Sequence, residues 1–442
     1  MKPTILVAGA GKSSISLIQY LISNANKYKW QVVVADGSIE AIKDKIGDNK
    51  SVKSVQLDIH NISARQQLVM EADLVVSILP PDLHIHLAND CLQFKKNLIT
   101  SSYISPEMKA MDDAVKEAGL MFMCEMGLDP GIDHMTANQI IHSIQRVASE
   151  LVSFKSYCGG LIAPESDDNP WHYKFSWNPK NVVIAGRGGA TFLQNGKEVF
   201  VDYEHLFHQN KKIQVDGVGA LAYYPNRDSL KYLDTYEVPD AKTFIRATLR
   251  HADFCKGWDA MIQLGLTDLD DDYSQCTTNL QWVSSKTNFN GNSSIVHHVA
   301  NLLQLDPESK VMHQLAWLGL FDETPIQNGL KTSADILLEI LQHKWIMKPH
   351  DKDMVVMQHE VEYIHKGSLV HLISSMTVIG EDAKHSAMAK TVGLPMAILA
   401  KLVIIGKINL PHGVCIPNMP SVYRPVLNEL KHFGISFEEQ VN

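Results

Sequence analysis

Thr4-Ile-Leu-Val-Ala-Gly9-Ala-Gly11-Lys-Ser-Ser14 opens the chain with a short apolar run that ends in a glycine turn. Residues 4–8 read as a strand, and the segment after the turn places Ile15, Ile18, Leu21 and Ile22 on one helical face. Gly9 and Gly11 permit a tight turn and let backbone N–H groups approach a pyrophosphate at a helix N-terminus. Lys12 and Ser13 lie within the same loop, and Ser14 stands where a third glycine usually eases helix packing. A strand-turn-helix becomes a dinucleotide fingerprint only in context, and the context follows. A second strand over 31–35 ends in Asp36, at the spacing of an acid that accepts ribose hydroxyls. The segment Asp36-Gly-Ser-Ile-Glu40 holds no Arg or Lys, so a 2′-phosphate would meet repulsion there; this predicts NAD in preference to NADP.

Working outward, the alternation of strand and helix patterns continues. A strand over 52–57 leads into Asp58-Ile59, and Asp73-Leu-Val-Val-Ser-Ile-Leu-Pro80 ends in Ser77, Ile78 and Leu79 before a proline stop. Asp58 and Ser77 are expected to touch the adenine and nicotinamide riboses. Strands over 97–100 and 120–124 complete a βα series and hence a doubly wound parallel sheet of the Rossmann kind. Ligands bind at the C-terminal ends of such strands, which is where Ser101, Ser102 and Tyr103 emerge. Glu125-Met-Gly-Leu-Asp-Pro-Gly-Ile-Asp-His134 closes the series: a Pro-Gly pair directly after Asp129 makes a turn, Leu128 and Pro130 flank that acid, and residues 132–141 read as helix.

From residue 150 the pattern becomes mixed α+β. Residues 151–158 read as a strand with a tight turn at Gly159-Gly160, and Asn195-Gly196 signals a hairpin. Thr243-Phe-Ile-Arg-Ala-Thr-Leu-Arg250 alternates, with Ile245, Ala247 and Leu249 on one face and Arg246, Thr248 and Arg250 on the other. Residues 258–342 read as helical, strands follow over 354–363 and 369–379, and helices over 387–408 and 422–432 end the chain. The expected organisation is a dinucleotide domain (1–129 and 386–442), a mixed α+β substrate domain (130–257 and 346–385) and a small all-helical insertion (258–345).

At 442 residues, with 45% hydrophobic and 20% charged residues, the chain is long enough for two or three domains with full cores. A formal net charge of −9 with no basic stripe argues against nucleic acid or an anionic membrane as partner. The six cysteines (91, 124, 158, 255, 276 and 415) form no CxxC pair, and no signal-peptide pattern precedes the first strand, so a reducing cytoplasm without disulfides is expected. Residues 393–410 are apolar but carry Pro395, Lys401 and Lys407, and read as a buried helix. His84 and His86, His205 and His208, and His297 and His298 lack acidic or cysteine partners at ligand spacing, so no metal is assigned. Gly186-Arg-Gly-Gly189 lacks the Lys-Ser/Thr of a phosphate loop and reads as a turn.

Arg227, Arg246 and Arg250 offer bidentate donors for carboxylates. Asp129 is placed either to handle a substrate amine or to cap a helix. Cys158 and Tyr103 are further candidates for hydrogen bonding to a reacting nitrogen, although a cysteine is more often inert core.

Taken together, Thr100-Ser-Ser-Tyr-Ile-Ser-Pro106, Gly127-Leu-Asp-Pro-Gly-Ile-Asp-His134, Ser156-Tyr-Cys-Gly-Gly-Leu161, Ala163-Pro-Glu165, Tyr173-Lys-Phe-Ser-Trp177, Tyr224-Pro-Asn-Arg-Asp-Ser229 and Thr248-Leu-Arg250 resemble the glutamate-forming saccharopine dehydrogenases (saccharopine reductases), colinearly over nearly the whole chain. The resemblance implies oxidation of saccharopine to glutamate and 2-aminoadipate 6-semialdehyde, or the reverse, in a homodimer. It implies a substrate site with Tyr103, Asp129, Cys158, Arg227 and Arg250. Ser102, Ser176 and Thr248 join that substrate set from the same motifs, and Asn169 from the aromatic-rich segment 169–177. Fungal members carry an Arg after the second strand and use NADP; this chain has Asp36-Gly37. It also has Ile162 for Pro, Trp171-His172 for Leu-Gly, a change next to the substrate segment, and Ala247 for Gly. The competing readings are a carboxynorspermidine or carboxyspermidine dehydrogenase of the same architecture, and a non-catalytic NAD-binding sensor.

Overall fold

The structure is a computed structural model and describes residues 2–47, 49, 51–208 and 211–442. Sixteen strands are present among them: β1 Thr4–Ala8, β2 Gln31–Asp36, β3 Val52–Gln56, β4 Leu74–Ser77, β5 Asn97–Thr100, β6 Met121–Met123, β7 Glu150–Ile162, β8 Ala190–Gln194, β9 Lys197–Val201, β10 Lys211–Val215, β11 Gly219–Pro225, β12 Thr243–Arg250, β13 Asp353–His365, β14 Ser368–Ile379, β15 Gly413–Cys415 and β16 Glu438–Val441. They form two sheets. The chain divides into two compact units, Met1–Glu150 with His365–Ser368 and Met376–Glu438, and Leu151–Ile364 with Leu369–Ser375 and Glu439–Asn442.

The first unit holds a seven-stranded sheet in the order β15-β6-β5-β4-β1-β2-β3, and its pairings are parallel. The chain reverses its winding at β1, between β2 and β4, which is the switch point where such sheets bind ligands. Ile5 to Ala8 are fully buried because helices cover both faces. Helix α1 (Ile15–Tyr28) buries Ile15, Ile18 and Leu21 as its period predicts, and also Leu17 and Tyr20. The extra burial comes from the long helix Ala387–Ile404, which packs along α1. At that crossing a Cβ on Gly393 would lie 2.8 Å from Leu17 N, so the close approach eased elsewhere by a third loop glycine is provided here by the partner helix. Ala387–Ile404 is apolar and long enough to cross a membrane by length and composition, and is mostly buried in the unit. Its Lys401 is bonded to Glu429, which also accepts from Tyr20 Oη.

The sequence divides the domains at residue 129; the compact unit continues to Glu150. Residues 132–146 form a helix that packs against the helix Pro420–Leu430, joined by a 2.9 Å bond between His142 Nδ1 and Tyr423 Oη. The seventh strand, β15, has no counterpart in the sequence reading.

The second unit is built on a mixed nine-stranded sheet, with the path β10-β11-β12-β7-β13-β14-β16 and the β8-β9 hairpin attached through β12. Gly159-Gly160 is not a turn: β7 runs unbroken to Ile162. A Cβ on Gly159 would meet Leu249 O at 2.6 Å, so glycine is needed for close approach of two strands. Ile245, Ala247 and Leu249 enter an apolar core with Tyr157, Leu161 and Val356, as the alternation predicts. The helices Ala252–Gln263, Asn279–Lys286, Ile295–Leu302, Lys310–Trp317 and Ser333–Lys344 share one aromatic core with Trp171, Tyr173, Phe175 and Tyr224. They therefore belong to the second unit.

Candidate active site

In the first unit the phosphate-facing loop is a main-chain construction. Gly9 has φ +111°, and a Cβ there would sit 2.8 Å from Ile78 O. Only glycine lets these strand ends come together. Gly9 N donates to Ala35 O at 2.8 Å, Ile78 N to Ala8 O at 2.9 Å, and Ser14 Oγ to Gly11 O at 2.8 Å. A Cβ on Gly11 would face open space, so the loop is accessible where a pyrophosphate would approach. Asp36 is engaged: Oδ2 accepts from Ala10 N at 2.7 Å and Oδ1 from Ser38 N at 2.9 Å. The exposed Asp58 caps its own turn through His60 N at 2.9 Å. Ser77 is fully buried and its hydroxyl lies 2.7 Å from His84 Nδ1.

The segment 125–134 is stitched tightly to the end of β5. Glu125, at φ +54°, donates its N–H to Ser102 O at 3.1 Å, while Met126 N donates to Thr100 O at 3.0 Å. The Glu125 carboxylate accepts from Ile104 N at 3.1 Å and lies 2.7 Å from His134 Nε2, with both side chains buried. Gly131, at φ +149°, folds back so far that a Cβ would overlap Gly127 O at 2.0 Å. These ties present the half-buried Asp129, whose Oδ1 accepts from Tyr103 Oη at 3.1 Å. Asp129 and Tyr103, 26 residues apart, are thus brought together. Leu128 and Pro130 on either side are buried, whereas Ser101, Ser102, Ile59 and Leu79 stay partly accessible.

In the second unit β12 and β7 run parallel, with Arg246 opposite Ser156 and Thr248 opposite Cys158. Thr248 faces Tyr224 and Arg250 faces Ala222 on the antiparallel neighbour β11. Arg250 is only 4% exposed. Its guanidinium lies over the Tyr173 ring at 5.1 Å and the Phe254 ring at 5.5 Å, and one terminal nitrogen donates to Leu249 O at 2.8 Å. Its Nε has no partner, and no carboxylate forms an ion pair with it among the described residues. A buried cation without an anion is costly, which marks a place for an incoming carboxylate. Burial alone would lower the Arg250 pKa, but Tyr224 and Tyr173 hold it raised. Arg246 lies over the Tyr232 ring at 4.6 Å. Arg227 is exposed, at φ +54°, in the turn after β11. Cys158 is 6% exposed and Ser176 7% exposed.

Asn169 is given over to structure: Nδ2 donates to Tyr173 O at 3.0 Å and Oδ1 accepts from Trp171 N at 3.0 Å. Trp171 is fully buried, bonds through Nε1 to Gln314 O at 3.2 Å, and occupies a groove in which a Cβ on Gly257 would come within 2.7 Å of its ring. His172, at φ +52°, pairs with Asp167 at 2.6 Å. The Trp171-His172 pair is therefore a packing and turn device. His84 and the Glu125–His134 pair are residues the sequence reading passed over or left without a role.

Residues 127–435 match the profile of the saccharopine dehydrogenase C-terminal domain, and residues 5–123 that of the saccharopine dehydrogenase NADP binding domain. This chain belongs to the saccharopine dehydrogenase family. It is 33% identical to "Saccharopine dehydrogenase [NADP(+), L-glutamate-forming]" of Saccharomyces cerevisiae, over 100% of this chain and 99% of the relative. It is 34% identical to the mitochondrial alpha-aminoadipic semialdehyde synthase of Bos taurus, over 99% of this chain and 48% of that protein. Among solved structures, the apo L-Glu-forming saccharopine dehydrogenase from Saccharomyces cerevisiae superposes with a TM-score of 0.90 at 31% identity, covering 100% of both chains.

These matches overturn the expectation of NAD. The family profile is that of an NADP binding domain, and the fungal relatives are named for NADP(+). The local reading failed because it sought the counter-charge only beside Asp36. That carboxylate is committed to two backbone N–H groups. Lys12 sits in the glycine loop, and its pKa is lowered by burial and by the nearby Lys45 of the helix Ile39–Ile46. The open Gly9–Gly11 cradle and Lys12 within it fit a dinucleotide, while Lys45 is paired with Asp44 at 2.8 Å.

Proposed function

We propose that this saccharopine dehydrogenase family member is an oxidoreductase of lysine metabolism acting on a CH–NH donor. It interconverts saccharopine, NADP⁺ and water with glutamate, 2-aminoadipate 6-semialdehyde and NADPH. The observation that carries the reading is Arg250: a buried guanidinium with an unpartnered Nε and no ion-paired acid among the described residues, on a strand face it shares with Arg246 and Thr248. Saccharopine is a tricarboxylate, and Arg250 with Arg227 supplies the bidentate charge that two of those groups require.

Gly9, Gly11, Lys12, Ser13, Asp58, Ile59, Ile78, Leu79, Ser101, Leu128 and Pro130 would hold the cofactor, and Lys12 would supply positive charge to its phosphates. Asp36 holds the loop that receives it. Bound NADP⁺ supplies a hydride acceptor. The substrate amine must be neutral before its α-hydrogen leaves, so a chain residue takes the proton. Asp129 is placed for this work, and the Tyr103 hydroxyl orients its Oδ1. Within the second unit, Cys158 and Thr248 sit side by side on β7 and β12 as polar groups suited to a substrate contact. Loss of hydride from carbon and of the proton from nitrogen leaves an imine, and water adds to its carbon and releases the amine and the aldehyde.

A homodimer in the cytoplasm completes the proposal. Six thiols without a disulfide suit a reducing compartment, and exposed apolar side chains such as Phe200, Leu369 and Ile379 suit a subunit contact. The test is to supply glutamate, semialdehyde and NADPH and identify the product by mass spectrometry. Saccharopine forming with equimolar NADPH oxidation supports the reading; a different condensation product, or none, overturns it.

A further inference from the structure

His84 takes part in no step above, yet it joins two residues at the ends of neighbouring strands. It is the first residue of the helix His84–Gln93 and is 3% exposed. Its Nδ1 lies 2.7 Å from Ser77 Oγ at the end of β4, and its Nε2 lies 2.8 Å from Ser102 Oγ in the loop after β5.

The direction of this chain of hydrogen bonds follows from burial. Ser77 is 0% exposed, and among the described residues its hydroxyl has one partner, His84 Nδ1. A buried hydroxyl whose hydrogen goes nowhere is destabilising, so Ser77 donates and Nδ1 accepts. A neutral imidazole then carries its single hydrogen on Nε2, which donates to Ser102 Oγ. The ring is neutral because burial lowers its pKa to about 4, against the opposing pull of Asp82. Ser102, partly accessible and next to Tyr103, already receives a hydrogen from the ring and has no acceptor for its own among the described residues.

We propose that His84, fixed as the Nε2–H tautomer by Ser77, is a positioning residue that makes the Ser102 hydroxyl an obligate donor to a carboxylate oxygen of the bound substrate. The inference rests on the reading of Ser102 as a substrate contact. It adds a residue and a defined proton arrangement to that site.

Two measurements test it on the full-length protein. The first uses ¹⁵N-histidine labelling and long-range proton–nitrogen correlation spectra, with the His84 signals assigned by their loss in His84→Asn. Expected are a protonated Nε2 and a bare Nδ1, constant between about pH 5.5 and 8. An Nδ1–H tautomer, a mixture or an imidazolium in that range overturns the proposal. The second is calorimetric titration of glutamate into the NADP⁺-bound protein. Ser102→Ala should weaken glutamate binding about tenfold, and Ser102→Thr, which keeps a hydroxyl, should recover most of it. A loss of affinity confined to NADP⁺, or none at all, overturns the proposal. Glutamate binding of this pattern without turnover of saccharopine would refute the reaction assigned above and leave the role of His84 standing.

Discussion

The two units build recognition from different materials. In the first, the ligand-facing parts are turns whose shape is set by glycine and by backbone hydrogen bonds: Gly9 against Ile78, and Gly131 folded onto Gly127. In the second, they are long side chains on the pleated surface of β12, Arg246 over the Tyr232 ring and Arg250 over the Tyr173 ring, the latter with its Nε unpartnered among the described residues. A cradle of main-chain donors fails when its shape fails, whereas a buried guanidinium can be removed from a sheet that still folds. The two regions should therefore respond differently to substitution.

The largest effect is expected at Gly131→Ala. Its Cβ would fall 2.0 Å from Gly127 O at a φ of +149°, so the turn must open, and the unfolding free energy in urea should drop by about 4 kcal/mol or more. A stable, active variant would break the contrast. Arg250→Met should cost a similar energy in a different quantity: kcat/KM for saccharopine falls about 1000-fold, or about 4 kcal/mol, while the affinity for NADPH in a fluorescence titration stays as in the wild type. Arg250→Lys should not restore the rate, because an ammonium lacks the planar fork.

Acid titration sharpens the comparison within the first unit. His84 is held at about 4 against an ordinary 6.5, so the unfolded chain binds the extra proton between those values. The shift contributes nothing above pH 6.5, where both states are neutral, and costs stability progressively as the pH falls toward 4, about 3 kcal/mol in all. His84→Asn should flatten that part of the stability profile in denaturant melts at a series of pH values. A smaller change is expected at Lys12→Ala, where NADPH binding weakens about tenfold. Since burial and Lys45 lower the Lys12 pKa, wild-type affinity for NADPH should fall with rising pH earlier than for an ordinary lysine. The smallest effect belongs to Lys384→Ala. Its ion pair with Asp44 is exposed on both sides, so stability should change by less than about 1 kcal/mol.

The same contrast explains what could be read from the letters. The nucleotide sheet and the arginine face of β12 both follow from periodicity, one from alternating strand and helix patterns and the other from a period of two. Features decided by distant packing were hidden. Gly159-Gly160 resembles a turn because local rules cannot see the Leu249 backbone beside it. Strand β15 is three residues long and finds β6 almost 300 positions upstream. Asp36 suggested NAD because its neighbours lack positive charge, whereas its carboxylate is taken up by Ala10 N and Ser38 N and the cation of the glycine loop is Lys12. His84 looked unremarkable because its partners are serines 7 and 18 residues away. A histidine close behind a strand that ends in serine, with further serines after the next strand, is the signal that could have drawn attention to it.

Initial rates of NADP⁺ reduction with saccharopine and with carboxynorspermidine, measured side by side on the wild-type enzyme and on Arg250→Met, bear most directly on the central assignment. Turnover of saccharopine that is abolished with Arg250, and little or none of carboxynorspermidine, is the predicted result. Faster turnover of carboxynorspermidine, or saccharopine oxidation that survives the loss of Arg250, would contradict it.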